Sequence, residues 1–147
     1  MDRMTAIWLY DGGIVTPAFT DLTSNTRTNT AFNFIATKDQ IMYLGFPRRW
    51  SGMYVDLSTN GAYTGFSYKY WNGTSWAEVE IVDDYHFDQS RYFRFNIPSD
   101  WAKDEFTTTF PYTVATVPDS SERFWLQVSC TAVTTTAVIS KIRCLVY

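Results

Sequence analysis

The stretch FSYKYWNGTSWAEVEIV, residues 66–82, decides the fold class of this chain. Its aromatic residues Phe66, Tyr68 and Tyr70 alternate with smaller or polar residues, and a second alternating run follows. Between the two runs lies Asn72-Gly73, which supplies the two positive-φ residues of a tight hairpin turn. Apolar alternation on both sides of Asn-Gly is the strongest short-range indication of a β-hairpin. The stretch therefore predicts two antiparallel strands joined by a tight turn.

The period of two continues through most of the chain after residue 30. Met53, Val55 and Leu57, for example, alternate with more polar neighbours. Turn-forming dipeptides separate such runs at short, regular intervals, which is typical of a β-sandwich or barrel. No window shows a sustained helical period, and only residues 99–106 fit a helical turn. We therefore predict an all-β fold.

The composition restricts the function classes. The 147 residues are 46% hydrophobic and 18% aromatic, which favours one packed β domain over a disordered chain. The formal charge is −3, whereas proteins that bind nucleic acid usually carry a net positive charge or a basic patch. The sequence has no apolar run long enough to cross a membrane, and its start does not resemble a signal peptide. We expect a cytoplasmic or cytoplasmically assembled protein without nucleic-acid or membrane partners.

Residues 1–30 differ from the rest because they end in the polar tract TSNTRTNT, residues 23–30. Such a tract buries too little apolar surface to fold alone. We therefore predict an extended N-terminal arm or a long loop over residues 1–30, anchored near Trp8, and a β-sandwich domain over residues 31–147. The alternative is that Ile7 and Leu9 belong to an ordinary first strand.

The two cysteines, Cys130 and Cys144, lie in late strand-like runs. If those runs form one hairpin, the sulfurs are several residues out of register and too far apart to bridge. We expect two buried free thiols rather than a disulfide.

The chain contains no convincing catalytic or metal-binding pattern. His86, the only histidine, lies in the acidic stretch Asp83–Asp88, which lacks the glycine and the terminal glutamate of a helix-loop-helix calcium loop. Glu78 and Glu80 share one face of a strand, the usual pattern of a solvated strand face. No serine lies in a nucleophile-turn sequence. We expect no metal, no cofactor and no enzymatic activity.

Two groups of residues are candidates for binding. A set of aromatic residues suits either a sugar-stacking platform or the packing of a sandwich, and comprises Tyr68, Tyr70, Trp71, Trp76 and Trp101. Arg48-Arg49-Trp50 follows a proline, and arginine and tryptophan are enriched at protein interfaces. This triplet is either an exposed docking point or a tryptophan folded onto the core beside two solvated arginines.

Several segments together resemble a module found in virion proteins of tailed bacteriophages. The matching elements are YLG (Tyr43–Gly45), YWNGTSW (Tyr70–Trp76), FNIPSDW (Phe95–Trp101) and FWLQ (Phe124–Gln127). The resemblance covers about residues 36–130. The chain departs from the module at residues 85–88, where threonine and glycine are usual, and at Gln127, where arginine is usual.

The resemblance implies a jelly-roll-like antiparallel sandwich of about eight strands in a non-enzymatic virion protein. A single module with a polar arm resembles a capsid decoration (cement) protein, which binds across joints between capsid subunits, usually as a symmetric oligomer. For this chain we expect a homotrimer bound to the major capsid protein. The alternatives are a tail, neck or baseplate component, and a carbohydrate-binding module using Trp71 and Trp76. Within this interpretation the expected contacts are Trp8, Tyr10, Arg27, Arg48, Arg49 and Trp50. Deleting residues 1–28 should then abolish attachment and leave the sandwich folded.

Overall fold

Antiparallel pairing dominates the computed structural model, which describes residues 2–106 and 116–146. The all-β prediction is confirmed, since one five-residue helix accompanies the strands of these ranges. The helix is α1 (Thr23–Arg27), and the strands are β1 (Asp2–Arg3), β2 (Ala6–Asp11), β3 (Ala18–Asp21), β4 (Phe32–Asn33), β5 (Gln40–Phe46), β6 (Trp50–Thr59), β7 (Ala62–Thr64), β8 (Ser67–Trp71), β9 (Trp76–Glu78), β10 (Arg91–Arg94), β11 (Lys103–Glu105), β12 (Glu122–Ser129), β13 (Ala132–Thr135) and β14 (Val138–Val146).

The strands form two main sheets. Sheet I has the order β1-β14-β6-β10, with β4 also paired to β14. Sheet II has the order β3-β2-β5-β12-β8-β9, with β11 also paired to β12. A separate pair joins β7 to β13. The frame, four strands from each main sheet, consists of eight strands: β4, β5, β6, β8, β9, β10, β12 and β14. Numbered one to eight in chain order, they are arranged 1-8-3-6 in sheet I and 2-7-4-5 in sheet II.

The main core lies between the two sheets. Met53 and Val55 of β6 share one apolar cluster with Leu44 of β5 and Leu126 of β12, and all four are 0% exposed. Each fully buried side chain of this kind contributes about 1.5–3 kcal/mol to folding. Packing of the two inner faces confirms the predicted β-sandwich.

A second apolar cluster covers the outer face of sheet II. Trp8 of β2, Tyr43 of β5 and Trp125 of β12 are 0% exposed there, and Phe106 packs over them. Sheet II is therefore buried on both faces in this region. That burial explains why β5 reads as a continuous apolar run, since a strand buried on both faces does not alternate.

The predicted extended arm is wrong for residues 2–30. Strand β2 is an interior strand, paired with β3 on one side and β5 on the other. The alternative, an ordinary strand around Ile7 and Leu9, is correct. Part of the polar tract forms α1, whose Thr23 accepts a hydrogen bond from the Ile7 amide at 3.0 Å. The threonines thus satisfy backbone groups of the sandwich, which ties this segment to the domain.

The hairpin at residues 66–82 is confirmed, but its turn is longer than expected. Trp71 pairs with Trp76, so the loop contains the four residues between them. Only Gly73 has a positive φ, of 100°. The Asn72 side-chain oxygen accepts hydrogen bonds from the amides of Thr74 and Ser75 at 2.9 and 2.8 Å. Asparagine therefore stabilises this loop through its side chain rather than through a left-handed backbone.

Two smaller expectations are also corrected. Of residues 99–106, only residues 99–100 form a turn, which a hydrogen bond from the Trp101 amide to the Pro98 carbonyl closes at 3.4 Å, and residues 103–105 form strand β11 against β12. The two late runs do not form one hairpin, because β12 lies in sheet II and β14 in sheet I. Cys130 and Cys144 are nevertheless free and buried, as expected. Burial raises the pKa of the Cys144 thiol to about 12.

Candidate functional site

Two of the predicted contact residues are buried in the outer-face cluster of sheet II. Trp8 is 0% exposed, with its ring 4.7 Å from that of Trp125. Tyr10 is 5% exposed and lies 5.1 Å from the ring of Phe19. Both side chains pack within the domain, because β2 is an interior strand and not an arm. Neither presents a ring face to a partner.

In the Arg48-Arg49-Trp50 loop, the tryptophan is folded onto the core beside two exposed arginines, which is the second of the two interpretations offered from the sequence. Trp50 is 0% exposed, and its ring packs 4.5 Å from that of Trp101. The two arginines are exposed. Arg48 Nη2 lies 3.4 Å from Asp2 Oδ2, and Arg49 Nη2 donates to the Trp101 carbonyl at 3.2 Å. Arg48 and Arg49 therefore remain candidates for contacts, whereas Trp50 is a core residue.

Arg27 lies at the end of α1 and borders a polar cleft of about 300 Å³. The cleft also contains Arg123 and Asp119. Arg49 lines a different cleft, of about 440 Å³, with Phe95 and Ile97. The predicted contact residues are thus dispersed: three lie in the core, Arg27 and Arg49 border separate clefts, and Arg48 is exposed outside both clefts.

The polar cleft is built around Arg123, which is 8% exposed. Its guanidinium donates two hydrogen bonds to the Asp119 carboxylate, at 2.7 and 3.1 Å, and one to Thr5 Oγ1 at 3.0 Å. The cation lies 5.8 Å from the ring of Trp8 and 5.6 Å from that of Trp125. Hydrogen bonding from the guanidinium lowers the pKa of Asp119. All three guanidinium nitrogens have partners within the chain, so this group has a structural role.

Four of the five rings of the candidate sugar platform are buried, and Trp76 is half-buried. Trp71 is 6% exposed and meets Trp76 edge to face, with ring centroids 5.3 Å apart. Trp71 Nε1 donates to Asp104 Oδ2 at 3.3 Å. Stacking on a sugar requires a flat, accessible ring face, and Trp71 is packed instead.

The acidic stretch at residues 83–88 is organised by aromatic packing. Phe87 is 0% exposed and stacks on Phe34 at 4.1 Å. Asp84 Oδ1 lies 3.0 Å from His86 Nε2, and Asp83 Oδ2 accepts a hydrogen bond from the Arg94 amide at 2.8 Å. Within residues 2–106 and 116–146, no three metal-ligating side chains are grouped so as to hold an ion.

The outer face of sheet I holds a group of residues that the sequence did not predict as a site. Tyr54 of β6 and Tyr92 of β10 are directly paired, with ring centroids 4.7 Å apart, and Tyr92 is 55% exposed. Arg143 of β14 is paired with Tyr54, and Arg3 of β1 with Arg143. The alternation in both strand sequences indicated which residues point outward. Their alignment was hidden, because it depends on the register between distant strands.

The described helix, α1, is too short to cross a membrane. Comparison of the chain with protein-family models, with curated proteins and with solved structures gave no match in any of the three.

Proposed function

We propose that this chain is a non-enzymatic structural protein of a tailed-bacteriophage virion, which decorates and cements the capsid. The observation that carries the proposal is the strand order, 1-8-3-6 in sheet I and 2-7-4-5 in sheet II. We interpret this interleaving of two four-stranded sheets as a jelly roll, an architecture common in viral capsid domains and lectins. Since one fold serves several functions, the sequence resemblance has to supply the choice between them.

The residues that carry the resemblance occupy structural positions. Tyr43 and Leu44 are 0% exposed in β5, and Trp101 is 2% exposed in the main core. Trp101 Nε1 also donates to the Trp125 carbonyl at 3.1 Å, which ties the core to β12. We therefore interpret these residues as the structural core of the module. Contacts with a partner would be made by other residues, at the surface.

A cement protein acts by burying surface across joints between shell subunits, so it needs an interaction surface and no catalytic cleft. Symmetric oligomers repeat that surface, and multivalent attachment strengthens a weak single contact. In this proposal the chain is a homotrimer that binds the major capsid protein on a virion assembled in the host cytoplasm. Of the contact residues expected from the sequence, Arg27, Arg48 and Arg49 are exposed.

Quantitative mass spectrometry of purified particles tests the proposal. The copy number of this chain is measured against that of the major capsid protein. A copy number comparable to that of the capsid protein is the expected result. A copy number of only a small fraction would assign the chain to the neck, tail or baseplate, and absence from the particles would overturn a virion role.

A further inference from the structure

The outer face of sheet I carries a straight row of four side chains across four strands. Arg3, Arg143, Tyr54 and Tyr92 are successive register partners on β1, β14, β6 and β10. Neither of the two buried apolar clusters includes any of them. Among residues 2–106 and 116–146, apolar packing therefore covers only the inner face of sheet I, whereas it covers both faces of sheet II.

Positive charge is concentrated on this face. Arg94 follows Tyr92 on the same side of β10, and Lys141 lies beside Arg143 on β14, opposite Asp56. The face is defined by the row together with Arg94, Lys141 and Asp56. It thus holds four of the twelve basic residues of the chain, and Asp56 is the acidic residue of β6 on this face. The rest of the chain has eight basic residues against fourteen acidic ones.

The basic side chains of the face form no salt bridge with a described residue, since the ion pairs across the described ranges are those of Arg48, His86 and Arg123. Two carboxylates lie near the basic residues of the face, because Asp56 is paired with Lys141 and Asp83 Oδ2 accepts a hydrogen bond from the Arg94 amide at 2.8 Å. Arg3 and Arg143 stand directly opposite each other, an arrangement in which like charges repel. The guanidinium of Arg143 is fixed by hydrogen bonds to Thr26 Oγ1 at 2.8 Å and to the Ile142 carbonyl at 3.0 Å. The four basic residues of the face outnumber the two carboxylates, so the face keeps a net positive charge.

The face also carries the residue types that dominate binding energy at protein interfaces. Tyrosine and arginine are enriched among such residues, and tyrosine loses little conformational entropy on binding. The Tyr54–Tyr92 pair forms an aromatic centre with basic residues on both sides. An acidic partner would pair with the cations and remove their repulsion.

We propose that the outer face of sheet I is a docking surface for an acidic protein surface. This inference deepens the proposed function, because it names the face by which the chain would attach to a shell. A second copy docked through the same face by a two-fold axis is disfavoured, since the two basic rows would oppose each other. A nucleic acid is disfavoured because the chain, with a pI of about 5, lacks the strongly basic character of nucleic-acid-binding domains.

The test is a titration of the isotope-labelled full chain with a short poly-L-glutamate peptide, at physiological ionic strength, followed by NMR. We expect the largest shift changes at Tyr54, Tyr92 and Arg94. The variant Arg94→Glu/Lys141→Glu should bind the peptide about tenfold more weakly or worse. The matched control, Lys38→Glu/Lys103→Glu, makes the same charge change at two exposed sites elsewhere and should stay within about twofold of the unaltered chain.

Arg3 and Arg143 are left intact, because Arg143 also holds α1 to β14. Shift changes centred elsewhere, equal weakening in both variants, or no saturable binding would overturn the docking surface. Tighter binding of a single-stranded oligonucleotide than of the peptide, through the same residues, would replace it with a nucleic-acid surface. Decoration of particles by the Arg94→Glu/Lys141→Glu variant at an unchanged copy number would overturn the docking face alone and leave the proposed function intact.

Discussion

The hydroxyl of Thr26 takes the place of a strand partner for Ile142. Thr26 Oγ1 donates to the Ile142 carbonyl at 3.3 Å and accepts from the Ile142 amide at 3.4 Å. Ile142 lies in the gap between β4, which pairs with residues 138–139 of β14, and β1, which pairs with residues 143–144. A single side chain from α1 thus completes the edge of sheet I, where buried backbone groups need partners.

Replacing Thr26 by valine should therefore destabilise the domain at nearly constant volume. Thr26 is 0% exposed, so Thr26→Val leaves the buried Ile142 amide without its acceptor, at a cost of about 1–3 kcal/mol, whereas the Ile142 carbonyl keeps its hydrogen bond from Arg143. Urea unfolding measures the loss. The control is Thr28→Val, at an exposed threonine just after α1, which should change the unfolding free energy by less than about 0.5 kcal/mol. Equal effects of the two substitutions would contradict this role of Thr26.

Deleting residues 1–28 should unfold the domain, contrary to the expectation from the sequence. The deletion removes β2, whose Ile7 and Trp8 are 0% exposed, and leaves one edge of β5 unpaired. We expect a truncated chain without a cooperative thermal transition. The contrasting variant, Ile14→Ser/Val15→Ser, alters two exposed apolar residues between β2 and β3 and should keep its transition. A truncated chain with a cooperative transition and dispersed amide resonances would show that β2 is dispensable.

Alternation in the sequence predicted strands correctly. The roles of polar residues were not predicted where they depend on contacts between segments distant in the sequence. The hairpin at residues 66–82 was found because both strands and their turn lie within one short stretch. The tract at residues 23–30 was assigned to an arm because threonine polarity in a sequence does not reveal that Thr23 and Thr26 bond to distant strands. Arg123 is the same kind of case. It looks like a solvated strand residue, yet two tryptophans and a carboxylate hold it in a buried position.

The side chains of Arg123 and Trp125 leave no room for a side chain at Gly45. A Cβ atom at this position would lie 2.7 Å from both Cδ of Arg123 and Cζ3 of Trp125. These groups are confined between packed rings, so Gly45→Ala should destabilise the domain by about 1–3 kcal/mol through overpacking. Thermal unfolding provides the measurement. The control is Gly12→Ala, where the nearest atom is a Tyr10 ring carbon at 3.3 Å in an exposed loop. If Gly45→Ala left the thermal stability unchanged, the side chains of Arg123 and Trp125 would be able to move aside at little cost, and the overpacking argument would be wrong.

The Arg123–Asp119 pair should make stability depend on acidity. Because its pKa is lowered in the folded state, the Asp119 carboxylate contributes stability above its unfolded-state pKa, and this contribution is lost as the pH falls below about 4. We expect the unfolding free energy to fall less between pH 7 and pH 3 in Asp119→Asn than in the unaltered chain. Asp39→Asn, at an exposed carboxylate with no ion pair to a described residue, should retain the full decrease. Urea unfolding at both pH values measures the difference, and equal decreases in all three proteins would show that Asp119 does not carry this dependence.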